Sequence, residues 1–232
     1  MGLTLGMVMV FSAAHAAPQS GWYMGLSGGK AMVDVDQDEL DVLTQEVFER
    51  SNSVMVQDES SLEDSDAKWS LFGGYRFNQF LAIEAGYTSL GTTQYLTEGT
   101  VFVYGSGVPG VVFRNDDVTF DIDSETKGFN AGLVANLPLG ASFDLHANLG
   151  LLFSDTEITM NSSSGSFGFG GNRVSDSLSG SDQDVFYGAG LGWHLSEKWS
   201  LSLDYQLYKD VGSEDTGETD IDAVTLAAVF HF

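Results

Sequence analysis

The chain is patterned on a period of two. From Trp199 to Tyr208, the residues Trp199, Leu201, Leu203, Tyr205 and Leu207 alternate with Ser200, Ser202, Asp204, Gln206 and Tyr208. Successive side chains of a strand point to opposite faces, so this segment has one greasy face and one mostly polar face. The same alternation sets Trp69, Leu71, Tyr75 and Phe77 against Ser70, Phe72, Gly74 and Arg76. It also sets Phe143, Leu145, Ala147, Leu149, Leu151 and Phe153 against Asp144, His146, Asn148 and Gly150. Val224, Leu226, Ala228, Phe230 and Phe232 form one wholly apolar face at the C-terminal end of the sequence. In all, eight segments reach the roughly 9 to 11 residues that a tilted strand needs to cross a bilayer. They begin near Trp22, Lys68, Phe80, Lys127, Phe143, Val185, Trp199 and Ile221.

The connections between these segments alternate in length. Asn78-Gln79, Pro138 to Ser142 and Ser196-Glu197-Lys198 are short turns, whereas the other connections are several times longer. Short turns on one side and long loops on the other predict an all-β fold: an eight-stranded antiparallel transmembrane up-and-down β-barrel with long extracellular loops and short periplasmic turns. Trp22, Trp69, Phe77, Phe80, Phe143, Trp193, Trp199 and Phe232 fall near strand ends, as an aromatic girdle requires. Thr93 to Phe120, with apolar runs at Val101 to Tyr104 and Val111 to Phe113, either extends the barrel walls outward or forms a separate hairpin.

Composition narrows the picture. Met1 to Ala16 is apolar and closes on Ala14-His15-Ala16, a small-x-small cleavage pattern, so residues 1–16 read as a signal peptide and 17–232 as the barrel domain. No Lys or Arg precedes that apolar run, an atypical start for such a peptide. Beyond it no apolar run approaches the roughly 18 residues of a spanning helix, and mean hydropathy is −0.01. The absence of cysteine is compatible with export through an oxidising compartment. A net charge of −24 excludes a general nucleic-acid binder, which needs a basic face.

Gly73-Gly74-Tyr75-Arg76-Phe77-Asn78, followed by Leu81 to Tyr87 and Leu90-Gly91, resembles the second hairpin of small OmpA-like outer-membrane barrels. Gly21-Trp22-Tyr23-Met24-Gly25 and Phe232 are similar to the same family. The resemblance implies an eight-stranded barrel in the outer membrane, bounded by lipid and lipopolysaccharide and delivered by periplasmic chaperones and the barrel-assembly machinery. It also implies an assembly signal in Phe232 and Phe230, and a lumen closed by a charged network. The OmpA type carries a peptidoglycan-binding domain after its barrel, and that anchoring role is not implied for this sequence. A monomer is expected.

Parity turns Arg76, Glu84, Asp144, His146, His194, Asp204 and His231 into the lumen. Eight strands enclose little more than side chains, so these groups must pair or be hydrated. Arg76 and Glu84 lie near one turn on adjacent strands and are expected to form an ion pair. Glycines on the same face, among them Gly25, Gly74, Gly86, Gly190 and Gly192, leave room for bulky neighbours. His146, His194 and His231 all fall toward the periplasmic end, on three different strands. Nothing in the pattern brings them together, and no metal, cofactor or catalytic site is assigned to them. With no histidine or cysteine on the outer side, hydroxyl nucleophiles there would be unassisted, which disfavours an enzyme.

All but four of the 33 acids, Glu84, Asp144, Glu197 and Asp204, lie in the four long outer connections. Such a crown either associates diffusely with divalent cations or is simply a solvated surface. Asp34, Asp36, Asp38 and Glu39 imitate the opening of an EF-hand loop, but Glu39 and Gln45 occupy its glycine and terminal glutamate positions. Leu40, Leu43, Val47 and Phe48 have helical spacing, compatible with a short amphipathic helix or with a plain acidic loop. Ser162 to Gly171 reads as a mobile tip. The function expected is structural or surface interaction through acidic loops, without catalysis. The alternative is a narrow channel through the lumen.

Overall fold

The computed structural model describes residues 20–33, 53–63, 65–104, 112–165, 172–213 and 217–232. The signal-peptide segment, the EF-hand-like stretch and the helical spacing at Leu40 to Phe48 lie outside the described residues. Nine strands follow one another: β1 Gly21–Val33, β2 Ser53–Glu63, β3 Ser65–Asn78, β4 Leu81–Tyr104, β5 Val112–Pro138, β6 Phe143–Gly165, β7 Asn172–His194, β8 Trp199–Ser213 and β9 Gly217–His231. Eight of them form a closed antiparallel ring in which β1 pairs with β3 and β9, β3 with β4, and β4 with β5, continuing neighbour to neighbour through β9. Closure of the ring leaves no open edge within the membrane band, the condition for a sheet to sit in hydrocarbon.

The outward face carries the apolar half of each alternation. On β6, Phe143, Leu145, Leu149 and Phe153 are exposed, whereas Asp144 is buried in the lumen. From Phe143 to Phe153 the strand rises roughly 34 Å along its axis, and a tilt of about 45° reduces that to roughly 25 Å, the height of an outer-membrane apolar band. Trp22, Phe77, Phe80, Phe143, Trp193 and Trp199 form the belt at the short-turn end, all substantially exposed. Trp69, Tyr87 and Phe129 form the opposite belt, with ring centroids 5.8 and 5.2 Å apart in sequence around the barrel.

The short turns are built by local hydrogen bonds. Asn78 Oδ1 accepts from the N–H groups of Phe80 at 2.8 Å and Leu81 at 3.1 Å. Ser196 Oγ accepts from Lys198 and Trp199 in the same manner. Gly140, at φ 85°, takes the left-handed position in the turn between β5 and β6.

The outer connections differ from the sequence expectation of loops. β4, β5, β6 and β7 run 24, 27, 23 and 23 residues, far beyond the membrane band. Thr93 to Tyr104 pairs with Val112 to Ser124 and so extends the wall. β2 adds a ninth strand to the outer half of β4, continuing the line of β3. The acids of 98–125 and 155–184 therefore stand on strands. Alternation explains this: Ile122 and Ile158 point inward while Asp123, Asp155 and Glu157 point outward, so polar turn-like composition coexists with a strand period. Ser162 to Gly165 likewise belongs to β6, and the remainder of that expected tip lies outside the described residues.

Candidate functional site

Within the membrane band the lumen holds a connected polar network at its periplasmic end. Asp144 and His146 face inward two residues apart on β6, with His146 Nδ1 3.3 Å from Asp144 Oδ1. His146 Nε2 lies 2.5 Å from Asp204 Oδ1 on β8, and Asp204 Oδ2 accepts from Ser202 Oγ at 2.6 Å. His194 Nε2 stands 2.7 Å from the other oxygen of Asp144, an ion-pair contact off the line of a good hydrogen bond. His194 Nδ1 meets Ser200 Oγ at 2.8 Å, and the same Oγ meets His231 Nε2 at 2.9 Å. Asp204, His146, Asp144, His194, Ser200 and His231 thus form one chain across β6, β7, β8 and β9.

The three histidines do converge, through a shared carboxylate and a shared hydroxyl. They are linked by second groups, and among the described residues no set of three or more His, Cys, Asp or Glu side chains is disposed to hold a metal. The sequence pattern had given the strands but not the cross-strand register that sets Asp144 against Gly192 and Ser200 against Val229. Ser200, Ser202 and Tyr23 were not singled out by sequence reasoning. Their signal was available, since each falls on the inward parity of its strand.

Arg76 and Glu84 correct the expected ion pair. Arg76 is level with Ala82, and Glu84 is level with Gly74, so the two are one row apart. Tyr23 fills the place between them. Its hydroxyl donates to Glu84 Oε2 at 3.2 Å across Gly74, where a Cβ would stand 2.5 Å from that hydroxyl oxygen. Arg76 Nη2 instead donates to Asn136 Oδ1 at 3.4 Å, and its Nε has no hydrogen-bond partner. Gly190 and Gly192 do for β7 what Gly74 does for β3. A Cβ on Gly192 would lie 2.7 Å from Asp144 Oδ1, and one on Gly190 2.5 Å from His146 Nε2. These groups surround a cavity of about 100 Å³.

Ser200, His194 and Asp144 stand in the order of a hydrolytic triad, yet the surroundings do not match. Ser200 Oγ is held between two imidazoles, and the backbone around it is committed to the β7–β8 and β8–β9 ladders. An oxyanion hole needs free donors aimed at a substrate oxygen.

Above this network large side chains fill the lumen. Tyr208, Lys68, Leu152 and Thr88 are almost completely buried. Lys68 Nζ donates to Tyr208 Oη at 2.8 Å and to Gln206 Oε1, and lies 4.7 Å from the Tyr208 ring centre. The Tyr208 ring stacks on Phe186 at 5.5 Å. Ser70 and Thr88 hydroxyls meet at 2.6 Å beside them. With Leu90, Val211, Ile221, Ala31 and Ala223 this layer forms the apolar core of the barrel.

Beyond the layer the extended walls enclose a second chamber of about 440 Å³. It is lined chiefly by Val33, Leu62, Leu90, Tyr95, Ile122, Ile158, Val211 and Ile221, with Glu218 among its few charged neighbours. Nearby, outside the membrane band, Lys209 donates to Asp220 Oδ2, and with the Asp210 N–H it holds the Asp220 carboxyl below the usual range. Burial and the neighbouring Asp121 push the Asp123 carboxyl up, against a hydrogen bond from Gln94.

No curated protein sequence matches the chain. Among solved structures, Ail of Yersinia pestis is 17% identical over 91% of this chain and 99% of its own, with a TM-score of 0.45. Neisserial surface protein A is 14% identical over 92% and 98%, with a TM-score of 0.46. The N-terminal barrel of Pseudomonas aeruginosa OprF is 12% identical over 92% and 100%, with a TM-score of 0.40. The family model of the OmpA-like transmembrane domain matches residues 17–232, and the chain, with its closed eight-strand ring and two aromatic belts, belongs to that family of outer-membrane barrels.

Proposed function

We propose that this outer-membrane barrel is non-catalytic and acts in surface interaction through its acidic outer half, the membrane portion serving as a rigid, closed stem. The observation that supports the reading is the set of almost completely buried side chains Lys68, Thr88, Leu152 and Tyr208, together with two cavities that share no lining residue. Outward-facing Asp123, Asp155 and Glu157 stand above the lipid band, where they meet solvent, lipopolysaccharide and divalent cations. The protein acts as a monomer.

Purified protein in planar bilayers tests this against the channel reading. No reproducible unitary steps are expected, and steps in the unaltered protein would reject the closed stem. Delivery by periplasmic chaperones and the barrel-assembly machinery is assigned to Phe232 and Phe230. Phe232 is 75% exposed, its ring centre is 5.2 Å from that of Phe230, and its N–H donates to Trp22 O at 3.1 Å. Removing Phe232 should lower the amount of heat-modifiable, inserted barrel, and undiminished insertion would contradict the assignment.

A further inference from the structure

The outer chamber is unusual for a space above a membrane band, because its walls are apolar on the inside. Water-filled mouths of closed barrels are expected to be polar, whereas here Leu90, Tyr95, Val211 and Ile221, already buried, present an apolar lining to the space. At about 440 Å³ the chamber falls within the roughly 300 to 1,000 Å³ typical of small-molecule sites. Seven strands contribute to its lining, and Leu90, Val211 and Ile221 of that lining belong to the same buried cluster as Leu152 and Tyr208.

β7 contributes no residue to that lining, and its outer part has a distinct character. The β7–β8 pairing runs from His194↔Ser200 up to Val185↔Lys209 and no further, although β7 continues to Asn172. The seam is therefore unzipped above the membrane. Asp182 and Asp184 on β7, Asp210 on β8 and Glu218 on β9 stand in this region, the other three each acting electrostatically on Asp184. Asp184 is buried and accepts from Ser154 Oγ at 2.5 Å, and Lys209 is committed to Asp220. Asp210 takes a left-handed backbone, φ 52°, at the irregular register between Tyr208 and Val211, where β8 departs from β7 toward β9.

We propose that the outer chamber is a binding site for a small cationic amphiphile, whose apolar body fills the space among Leu90, Ile122, Ile158 and Ile221 while its ammonium meets Glu218 on the chamber wall. The apolar lining supplies affinity, and the Glu218 carboxylate selects the sign of the head group. The assignment deepens the surface-interaction reading by naming a ligand class. It does not depend on the lumen being closed to ions, so failure of binding and failure of the closed stem are separately visible.

The test uses three short probes of equal chain length, octylammonium, octanol and octanoate, added to the full barrel in nanodiscs. Methyl NMR shifts of Ile122, Ile158 and Ile221 report binding, and those of lipid-facing Leu133 and Leu149 report mere partitioning. Octylammonium should shift the three isoleucines and bind about tenfold more tightly than octanoate, with octanol between them. Glu218→Gln should reduce the preference for octylammonium over octanol severalfold while leaving octanol unchanged. Thr126→Trp, which fills the chamber from its wall, should abolish the isoleucine shifts for all three probes, and the Leu149 shifts of that variant check that the barrel has formed. Equal response to the three probes would overturn the charge selection. Shifts confined to Leu133 and Leu149, or none at the isoleucines, would overturn the site, including the case in which the chain's own residues fill the space.

Discussion

The lower lumen and the outer chamber are enclosed by the same strands yet solve the inside of a barrel in opposite ways. Below, the inward parity carries Asp144, His146, His194, Asp204 and His231, and glycines opposite them make room for a connected network, with Arg76 Nε, Asn148 Oδ1 and His194 Nε2 left outside its hydrogen bonds. Above, the inward parity carries Leu90, Ile122, Ile158 and Ile221, and the space they face stays open. The difference shows that alternation fixes which side chains enter the lumen, whereas residue size across each row decides whether the lumen fills or hollows. A row that pairs His146 with Gly190 packs, whereas Ile158, level with Leu178, lines the open chamber.

This contrast predicts unequal responses to substitution. Asp144→Ala removes the carboxylate shared by two buried imidazoles and should cost about 3 to 5 kcal/mol, the usual loss when one partner of a buried ion pair is deleted. Urea unfolding in lipid vesicles measures it, and a loss under about 1 kcal/mol would show that the network carries little of the stem's stability. Gly74→Val sets a side chain against Tyr23 and the Ile83 carbonyl and should cost about 1 to 3 kcal/mol. It should also detach the Tyr23 hydroxyl from Glu84, visible as a changed tyrosine absorbance titration. Ile158→Ala, on the open chamber, should cost about 1 kcal/mol or less, below the usual buried value, because the space it faces is already empty. A cost near that of Asp144→Ala would mean the chamber is packed.

The smallest effect is electrostatic. Asp220 is held below its unfolded value by Lys209, so it adds stability above about pH 4, lost as pH falls through its lower folded value. Asp123 has the opposite sign: its raised folded value means the ionised form is disfavoured, and acidification relieves the strain of the crown. Asp220→Asn should therefore flatten the loss of thermal stability between pH 6 and pH 3. Asp123→Asn should raise stability at pH 7 and leave pH 3 unchanged. Both differences should shrink in high salt, since these groups are largely exposed.

Much of the stem was legible in the sequence. The alternation of Trp199 to Tyr208 and Phe143 to Phe153 gives the strands, their lipid face and the list of inward groups, because a period of two depends on nothing distant. Partnerships inside the lumen depend on register and on a third strand, and neither is local. Arg76 and Glu84 look adjacent along their hairpin, yet Tyr23 arrives from β1 across Gly74 and takes Glu84. Ser200 links two histidines only because β7, β8 and β9 stack in one row. The outer walls were obscured for another reason. Asp, Ser, Thr and Gly dominate 155–182, a composition that reads as loop, while the strand there is held by long-range pairing with β5 and β7.

The central claim is that one buried layer separates a sealed lower lumen from an accessible outer chamber. The chain has no cysteine, so single reporters can be introduced without background. Ser124→Cys lies in the outer chamber, and Ser27→Cys lies below the layer in the lower cavity. With the barrel in the outer membrane of intact cells and a charged, membrane-impermeant maleimide added outside, Ser124→Cys should label readily. Ser27→Cys should remain unlabelled until Lys68 and Tyr208 are both replaced by Ala. Prompt labelling of Ser27→Cys in the otherwise unaltered barrel would contradict the account.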